Sequence, residues 1–149
     1  MPAVAVDAFA GVSNLSLLAE IPSRATVLDL GSGAGLDSII AAGRVGPQGQ
    51  VLAVDFSSAM LSSMEQAVLE SGATNIKIFH SDAESLPLED LSVDVALVNG
   101  IFNLNSERSK IFTELARVVK PGGCVFAAEL VLREAGSEKV EPTPENWFA

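Results

Sequence analysis

Short apolar segments alternate with longer amphipathic segments along this chain. The short segments are about five residues long and most are apolar at consecutive positions, which is typical of strands that are covered on both faces. The alternation of such strands with helices predicts successive βα units that share a parallel sheet. The five predicted strands cover residues 26–30, 51–55, 76–80, 93–98 and 124–130.

The helix between the second and third strands has clear end signals. Ser57 can cap its N-terminus, and Gly72 can end it in the left-handed conformation that glycine adopts without strain. Leu61, Met64 and Val68 recur at helical spacing and form its apolar face. We expect this helix to pack against the sheet along that face.

The helix before the last strand also has a clear end. It begins near residue 105 or 106 and would bury Ile111, Leu115 and Val118. The Lys-Pro-Gly-Gly sequence of residues 120–123 then stops it, because proline cannot continue a helix.

The remaining segments give weaker signals. A short helix is predicted over residues 36–43, ended by Gly43, and another over residues 14–20. Residues 133–149 are polar and contain prolines, and we interpret them as a loose tail. Since 149 residues suffice for one compact core and not for two, we expect residues 1–149 to form a single domain.

A glycine-rich turn follows the first strand, in the sequence VLDLGSGAGLDS of residues 27–38. Glycines between a strand and a helix let a ligand approach the backbone and leave N–H groups free at the helix N-terminus. The dinucleotide pattern Gly-x-Gly-x-x-Gly/Ala does not fit, because its third position is Leu36, one residue after Gly35. A phosphate-binding P-loop does not fit either, since no lysine follows the glycines. Both phosphate-binding patterns are therefore disfavoured.

Three aspartates accompany the ends of the first three strands. Asp29, just before the glycines, would repel a pyrophosphate and attract an ammonium group. Asp55 ends the second strand about 20 residues after Gly35, where an acidic residue commonly accepts hydrogen bonds from ribose hydroxyls. Asp82 follows the third strand at the same edge and could accept from an adenine amino group. The three carboxylates predict a nucleoside with a cationic end, although Asp55 and Asp82 could instead be turn or capping residues.

Composition excludes several other functions. The formal charge is −10, from 19 acidic and 9 basic residues, so we expect neither nucleic acid nor an anionic membrane surface as a partner. Cys124 is the one cysteine and His80 the one histidine, which leaves no internal disulfide and no metal site. The apolar stretch at residues 93–98 is far shorter than the roughly 20 residues of a membrane span, and the N-terminus lacks a basic signal start. We therefore expect a cytoplasmic protein with a small-molecule substrate.

These features together resemble those of the class I S-adenosylmethionine-dependent methyltransferases, over nearly all of residues 24–130. The resemblance rests on four motifs, at residues 29–35, 54–55, 81–87 and 119–123. It implies a Rossmann-like, doubly wound α/β sheet with five parallel strands in the order 3-2-1-4-5. It also implies S-adenosylmethionine as the cofactor and methyl transfer to a small-molecule acceptor. The cofactor-binding residues that it implies are Asp29, Gly31, Ser32, Gly33, Gly35, Asp55, Phe56, Asp82, Ala83 and Asn99.

The resemblance also assigns roles to these positions. The glycine turn would face the methionine part of the cofactor, Asp55 would hold both ribose hydroxyls, and Asp82 with the Ala83 backbone would bind adenine. No catalytic residue is identified, because the sulfonium is already activated and the protein has mainly to align the acceptor and exclude water. Met60 and Met64 are interpreted as core residues.

Within that family the sequence resembles the arsenite methyltransferases, through residues 9–14, 31–37 and 98–104. Those enzymes hold arsenic through cysteine thiolates, and the corresponding positions here are Val12 and Gly100. Since a soft arsenic centre needs soft ligands, we do not expect arsenite to be the acceptor.

Cys124 does not replace those thiolates, because it begins a strand that we predict to be buried. The loop at residues 99–105 is the best acceptor-side candidate, with a helix cap as the equally weighted alternative. The identity of the acceptor is left open.

The family's fold continues with an antiparallel hairpin, and no strand pattern follows Leu130 here. Either the full protein is longer than this chain, or this is a trimmed domain with an exposed fifth strand. An exposed edge favours pairing, so we predict a homodimer through the fifth strand or through Trp147 and Phe148.

Three functions are compared. Methyl transfer to a small molecule is the leading hypothesis. A cofactor-binding module without activity of its own is the alternative, favoured by the short chain and the two absent thiols. A nicotinamide-dependent oxidoreductase is disfavoured by Leu36.

Overall fold

The computed structural model describes residues 1–131, which contain a five-stranded sheet with all neighbouring strands parallel. The strand order β3-β2-β1-β4-β5 confirms the predicted Rossmann-like topology. The strands are β1 (Thr26–Leu30), β2 (Gln50–Asp55), β3 (Ile76–His80), β4 (Val93–Asn99) and β5 (Val119–Ala128). The helices are α1 (Ala3–Asp7), α2 (Leu15–Leu18), α3 (Leu36–Val45), α4 (Ser58–Ser71) and α5 (Arg108–Val118), with a 3-10 turn at Phe102–Leu104.

The core lies on both faces of the sheet because side chains alternate along each strand. Leu28 and Leu30 of β1 pack with Ile111 and Leu115 of α5 on one face. On the other face, Val27 packs with residues of α2 and α3. Asp29 shares the face of Val27, and this places its carboxylate toward α3.

The ends of α4 follow the sequence signals. The Ser57 hydroxyl accepts a hydrogen bond from the Met60 N–H at 3.4 Å, and Gly72 ends the helix at φ +70°. Met64 is completely buried in the predicted apolar face. Ile111, Leu115 and Val118 of α5 are also buried, so both helix faces are confirmed.

Several predicted boundaries were wrong. Helix α5 begins at Arg108 rather than near residue 105 or 106, and β5 ends at Ala128 rather than at residue 130. Helix α3 continues through Gly43 to Val45, and Gly46 ends it at φ +72°. The Asn75 side chain donates to the carbonyl oxygens of Ala42 and Gly46 at 3.1 and 2.9 Å, which stabilises this longer end. The last strand begins at Val119 rather than residue 124, because the chain passes directly from α5 into an irregular first part of β5.

Cys124 is exposed, and the prediction that it lies in a buried strand was wrong. In residues 1–131, β5 is the edge of the sheet beside β4, and much of its surface is uncovered. Val125 is likewise 45% exposed. The apolar composition of this strand therefore did not imply burial, because burial depends on what packs against the edge.

The N-terminal segment was only partly predicted. Helix α2 covers four residues instead of the expected 14–20, and α1 was not predicted. Among residues 1–131, no helix is long and apolar enough to cross a membrane. The expected loose tail, including Trp147 and Phe148, lies outside the described residues.

Candidate active site

A cavity of about 630 Å³ opens at the carboxyl ends of β1, β2 and β4. In a doubly wound sheet this is the position where the connections diverge to opposite faces, and ligands bind there. Nine of the ten predicted cofactor-binding residues line this cavity, namely Asp29, Gly31, Ser32, Gly33, Asp55, Phe56, Asp82, Ala83 and Asn99. These nine are among the 25 residues that line the cavity.

The glycine turn forms the floor of the cavity. The Gly31 and Ser32 N–H groups donate to the Val54 carbonyl oxygen at 2.9 and 3.0 Å, which ties the turn to β2. Gly31 has φ +76°, and a Cβ there would collide with the Ile101 side chain. Gly31 is thus required both by the turn and by the loop that follows β4.

Gly35 does not line the cavity. It precedes α3 at φ +88°, and a Cβ at this position would lie 2.8 Å from Cγ of Met64. The residue therefore allows α3 to start close to α4.

Asp55 is held rigidly at the end of β2. One carboxylate oxygen accepts from the Gly33 N–H and the other from the Ser57 N–H, both at 2.8 Å, and the residue is 8% exposed. Each oxygen keeps a further acceptor position. An anchored carboxylate of this kind, lining a cavity, fits a pair of neighbouring hydroxyl groups on a ligand.

Asp29 is buried and only 2% exposed. Burial raises the pKa of its carboxyl to about 7; the Ser38 hydroxyl, which donates to it, lowers the pKa, and the charges of Asp37 and Asp55 raise it. A cationic group entering the cavity would favour the ionised form.

The polar wall of the cavity is acidic. It contains the carboxylates of Asp29, Asp37, Asp55, Asp82 and Glu84. No Lys, Arg or His among residues 1–131 lines it. This wall disfavours phosphate groups and favours a ligand with a positive charge and hydroxyl or amino donors.

The opposite wall is largely apolar and comes from Phe9, Met60, Ile101 and Leu104. Met60 is 38% exposed and faces the cavity, so its assignment to the core was wrong. It lies one turn before the buried Met64 on α4.

Sequence analysis missed the N-terminal contribution to the site. Residues 8–11 line the cavity, as does Asp37. The Asn99 side chain accepts from the Val12 N–H at 2.8 Å across a separation of 87 residues. The resemblance included residues 9–14 and 31–37, but no local pattern could show that these segments meet at the end of β4.

Val12 and Gly100 are neighbours in space. A Cβ built on Gly100 would lie 3.3 Å from Cγ2 of Val12. Gly100 lines the cavity, and its N–H donates to the Ala128 carbonyl oxygen at 2.8 Å. The two positions that would need thiolates for arsenic are therefore adjacent, and neither has a sulfur ligand.

Comparison with known proteins identifies the family. Residues 21–148 match the family model described as Methyltransferase domain. The chain is 35% identical to an arsenite methyltransferase of Halobacterium salinarum over 136 residues, which are 91% of this chain and 35% of that protein. It is 37% identical to a demethylmenaquinone methyltransferase of Geobacillus kaustophilus over 103 residues, which are 68% of this chain and 44% of that protein.

A solved structure agrees with both matches. The arsenic(III) S-adenosylmethionine methyltransferase of Chlamydomonas reinhardtii superposes with a TM-score of 0.76 at 31% identity, covering 83% of this chain and 44% of that one. This chain spans about a third of the H. salinarum relative and less than half of the G. kaustophilus one. The fold, the strand-end carboxylates and these matches agree, and the chain belongs to the class I S-adenosylmethionine-dependent methyltransferases, with likeness to the arsenite methyltransferases.

Proposed function

We propose that this protein binds S-adenosylmethionine in the cavity and transfers its methyl group to a small-molecule acceptor. The observation that carries the proposal is the Asp55 carboxylate, fixed by two backbone N–H groups and lining an acidic cavity at the ends of the central strands. Asp55 would accept from both ribose hydroxyls. Asp82 and the Ala83 backbone would bind adenine, and Asp29 with the glycine turn would face the aminoacyl end.

The bound cofactor supplies a methyl group that is already activated by the sulfonium charge. This chain contributes the orientation of the cofactor and acceptor and the exclusion of water from the site. The glycine turn and Asp55 fix one end of the cavity, while Phe9, Ile101 and Leu104 form apolar walls that keep water from the other end. The loop at residues 99–105 would position the acceptor.

The lining favours an uncharged or cationic, partly apolar acceptor. Basic side chains that would pair with an anionic acceptor do not line the cavity among residues 1–131. Arsenite is disfavoured, because Val12 and Gly100 offer no soft ligand and Cys124 lies on β5 and does not line the cavity. The relatives named for arsenite and for demethylmenaquinone show that this family covers unlike acceptors.

A cofactor-binding module without activity of its own is the second candidate. It is favoured by the extent of the matches, which cover 35% and 48% of two curated relatives. In that case the cavity would bind the cofactor while another part of the protein, or another chain, would complete the acceptor site.

We also propose that the protein forms a homodimer through β5. In residues 1–131 this strand has β4 as its one neighbour. Val125 within β5 is 45% exposed, and Leu130 and Val131, which follow the strand, are 75 and 84% exposed. Unpaired strand edges with apolar side chains promote pairing. A monomeric sedimentation profile across micromolar concentrations would contradict this proposal.

We propose the cytoplasm as its location and a small molecule, rather than nucleic acid or membrane lipid, as its substrate. The formal charge of −10 and the acidic cavity oppose binding to phosphate-rich partners. A filter-binding assay with RNA and DNA at low salt, where such contacts are strongest, should show no retention.

Calorimetry with S-adenosylmethionine, S-adenosylhomocysteine and NAD tests the cofactor. The two sulfur nucleosides should bind and NAD should not. Asp55→Ala should weaken binding by about 100-fold, since it removes hydrogen bonds to a charged acceptor. Asp90→Ala is the matched control, because Asp90 is exposed and pairs with Arg117 outside the cavity. Tight NAD binding without a response to either sulfur nucleoside would overturn the proposal.

Incubation with methyl-labelled cofactor and a panel of metabolites separates the enzyme from the module. Transfer to an uncharged acceptor supports the enzyme. Cofactor binding without transfer to any member of the panel supports the module. Transfer to arsenite would refute the argument from Val12 and Gly100.

A further inference from the structure

The N-terminal strap, residues 8–11, connects α1 to the segment before α2 and lines the cavity along its whole length. It comes from the start of the chain, while the cavity floor comes from the glycine turn after β1. Ala10 is exposed, and Ala8, Phe9 and Gly11 are only partly buried. Whatever holds the strap in place must therefore act mainly at its two ends.

The first end is held by packing. Ala5 of α1 is completely buried and packs against Ile39 of α3 and Ala67 of α4. The contact is small and apolar, so it fixes the position of α1 but not the direction in which the chain leaves it.

The second end is held by hydrogen bonds to the Asn99 amide at the end of β4. Its Oδ1 accepts from the Val12 and Ser13 N–H groups at 2.8 and 3.4 Å. Its Nδ2 donates to the Ser13 carbonyl oxygen and to Oδ2 of Asp37, both at 2.8 Å. Only one orientation of the amide satisfies all four partners.

Asp37 extends this anchor to α2. Its other oxygen, Oδ1, accepts from the Ser16 N–H at 3.0 Å, and the residue is 6% exposed. The strap lies directly on the amide, since a Cβ on Gly11 would be 2.5 Å from Nδ2 of Asn99. Two polar side chains in the wall of the cavity are thus used to hold backbone.

We propose that Asn99 and Asp37 are positioning residues, which fasten the strap across the bound cofactor and must release it when the cofactor enters or leaves. This inference rests on the proposed function. A segment held at one end by a few hydrogen bonds opens at lower free energy than the sheet beneath it. Cofactor dissociation should therefore be governed by the bonds of Asn99 rather than by unfolding of the domain.

The sharpest variants exchange donors for acceptors without changing shape. Asn99→Asp keeps acceptance from Val12 and Ser13 but places a carboxylate oxygen against the Ser13 carbonyl and Asp37. Asp37→Asn places an amide donor against the Asn99 amide. In the double variant, the new amide at position 37 donates to the new carboxylate at position 99, so the link is restored with its direction reversed and the total charge is unchanged.

Two measurements are combined on the full chain. Hydrogen exchange of the Val12, Ser13 and Ser16 amides in the free protein measures how often their hydrogen bonds to Asn99 and Asp37 open. The dissociation rate of S-adenosylhomocysteine measures how fast the ligand leaves the cavity. Asn14→Asp is the matched control, because Asn14 is exposed, adjacent and makes no side-chain hydrogen bond to the helix that it caps.

Asn99→Asp should accelerate both exchange and dissociation by at least about tenfold, the factor for one lost hydrogen bond to a charged group. In the double variant, the exchange rates and the dissociation rate should return part of the way to their wild-type values. Asn14→Asp should change neither rate. Unchanged exchange in Asn99→Asp, or faster exchange with an unchanged dissociation rate, would overturn the inference. Absence of binding to the wild-type protein would instead overturn the proposed function and this inference with it.

Discussion

The two halves of the cavity are built in different ways. The half that we propose binds the cofactor, called the cofactor half, consists of the turns that directly follow β1, β2 and β3. Its Asp55 carboxylate accepts from the Ser57 N–H two residues later and from the Gly33 N–H in the turn after β1. The half that we propose faces the acceptor, called the acceptor half, consists of the loop at residues 99–105, to which the strap is fastened. Its central hydrogen bond joins Asn99 to Val12, across 87 residues.

The difference distinguishes the part of the cavity formed by residues close in sequence from the part formed by segments that are distant in sequence. Each turn of the cofactor half follows from a short stretch of sequence at a strand end. Contacts between these turns, such as the bond from Gly33 to Asp55, join neighbouring strands of the sheet. The acceptor half exists only when the first residues of the chain return to the end of β4. We expect substitutions in the first half to act on stability and cofactor binding, and those in the second half to act on access and specificity.

The largest expected effect is electrostatic and lies in the cofactor half. The Asp29 pKa is raised from 3.8 to about 7, so between these pH values the unfolded chain loses a proton that the folded protein keeps. Stability therefore falls as pH rises through this range, by an upper limit of about 4 kcal/mol, and the cost remains above pH 7. Asp29→Asn cannot titrate and should escape this loss.

Denaturant unfolding between pH 4 and 8 checks this prediction. The advantage of Asp29→Asn over the wild type should grow from pH 4 to 7 and then level off. Asp90→Asn, at an exposed position, serves as the control. A difference that stays constant with pH would show that burial does not raise the pKa of Asp29.

The next largest effect is a loss of stability at the contact between the two halves of the cavity. Gly31→Ala puts a methyl group into the Ile101 side chain, whereas Gly33→Ala meets no atom within 4 Å, and both glycines have positive φ. In both variants the left-handed backbone lowers the free energy of unfolding by about 1 kcal/mol. Gly31→Ala should lose about 1–3 kcal/mol more from overpacking.

Denaturant midpoints of the two glycine variants give this difference directly. Adding Ile101→Ala to Gly31→Ala should recover part of the loss by making room. Equal midpoints for Gly31→Ala and Gly33→Ala would mean that the turn and the loop after β4 are not in contact.

A smaller effect concerns the support of the acceptor half. The Arg44 guanidinium donates to the carbonyl oxygens of Ser16 and Ala19 at 2.6 and 2.8 Å and so holds α2 against α3. Arg44→Ala should destabilise the protein by about 1.5 kcal/mol, as expected for hydrogen bonds to a charged donor. Thermal unfolding measures it, with the exposed Arg108→Ala as control; an equal loss in both variants would deny Arg44 this role.

The smallest expected effect is a change in cofactor affinity when an apolar side chain of the cavity wall is shortened. Leu104 lines the cavity and is 49% exposed. Leu104→Ala should change the affinity for S-adenosylhomocysteine by less than about threefold, the scale of most surface substitutions. Calorimetry compares the affinities of Leu104→Ala and Asp55→Ala for S-adenosylhomocysteine. A loss of affinity in Leu104→Ala as large as that in Asp55→Ala would place Leu104 in the cofactor half.

Sequence patterns were sufficient where structure is local. The strand bounds at Thr26–Leu30 and Ile76–His80, the cap at Ser57 and the turn at Gly31 all follow from neighbouring residues. The errors share another cause. Cys124 and Met60 were judged by their own segments. Their exposure depends instead on what covers β5 and on the cavity beside the start of α4.

By itself, the sequence determined the order of the strands and helices, the turn after β1 and the three strand-end carboxylates, since each depends on periodicity or on a short motif. The tertiary structure alone decided that the strap lies on Asn99, that Asp37 holds it there and that Gly31 meets Ile101. These contacts join distant segments, and no local pattern encodes which distant backbone will need a given polar side chain. The turns after β1, β2 and β3 and the loop after β4 could therefore be predicted from the sequence, and the return of the strap to Asn99 could not.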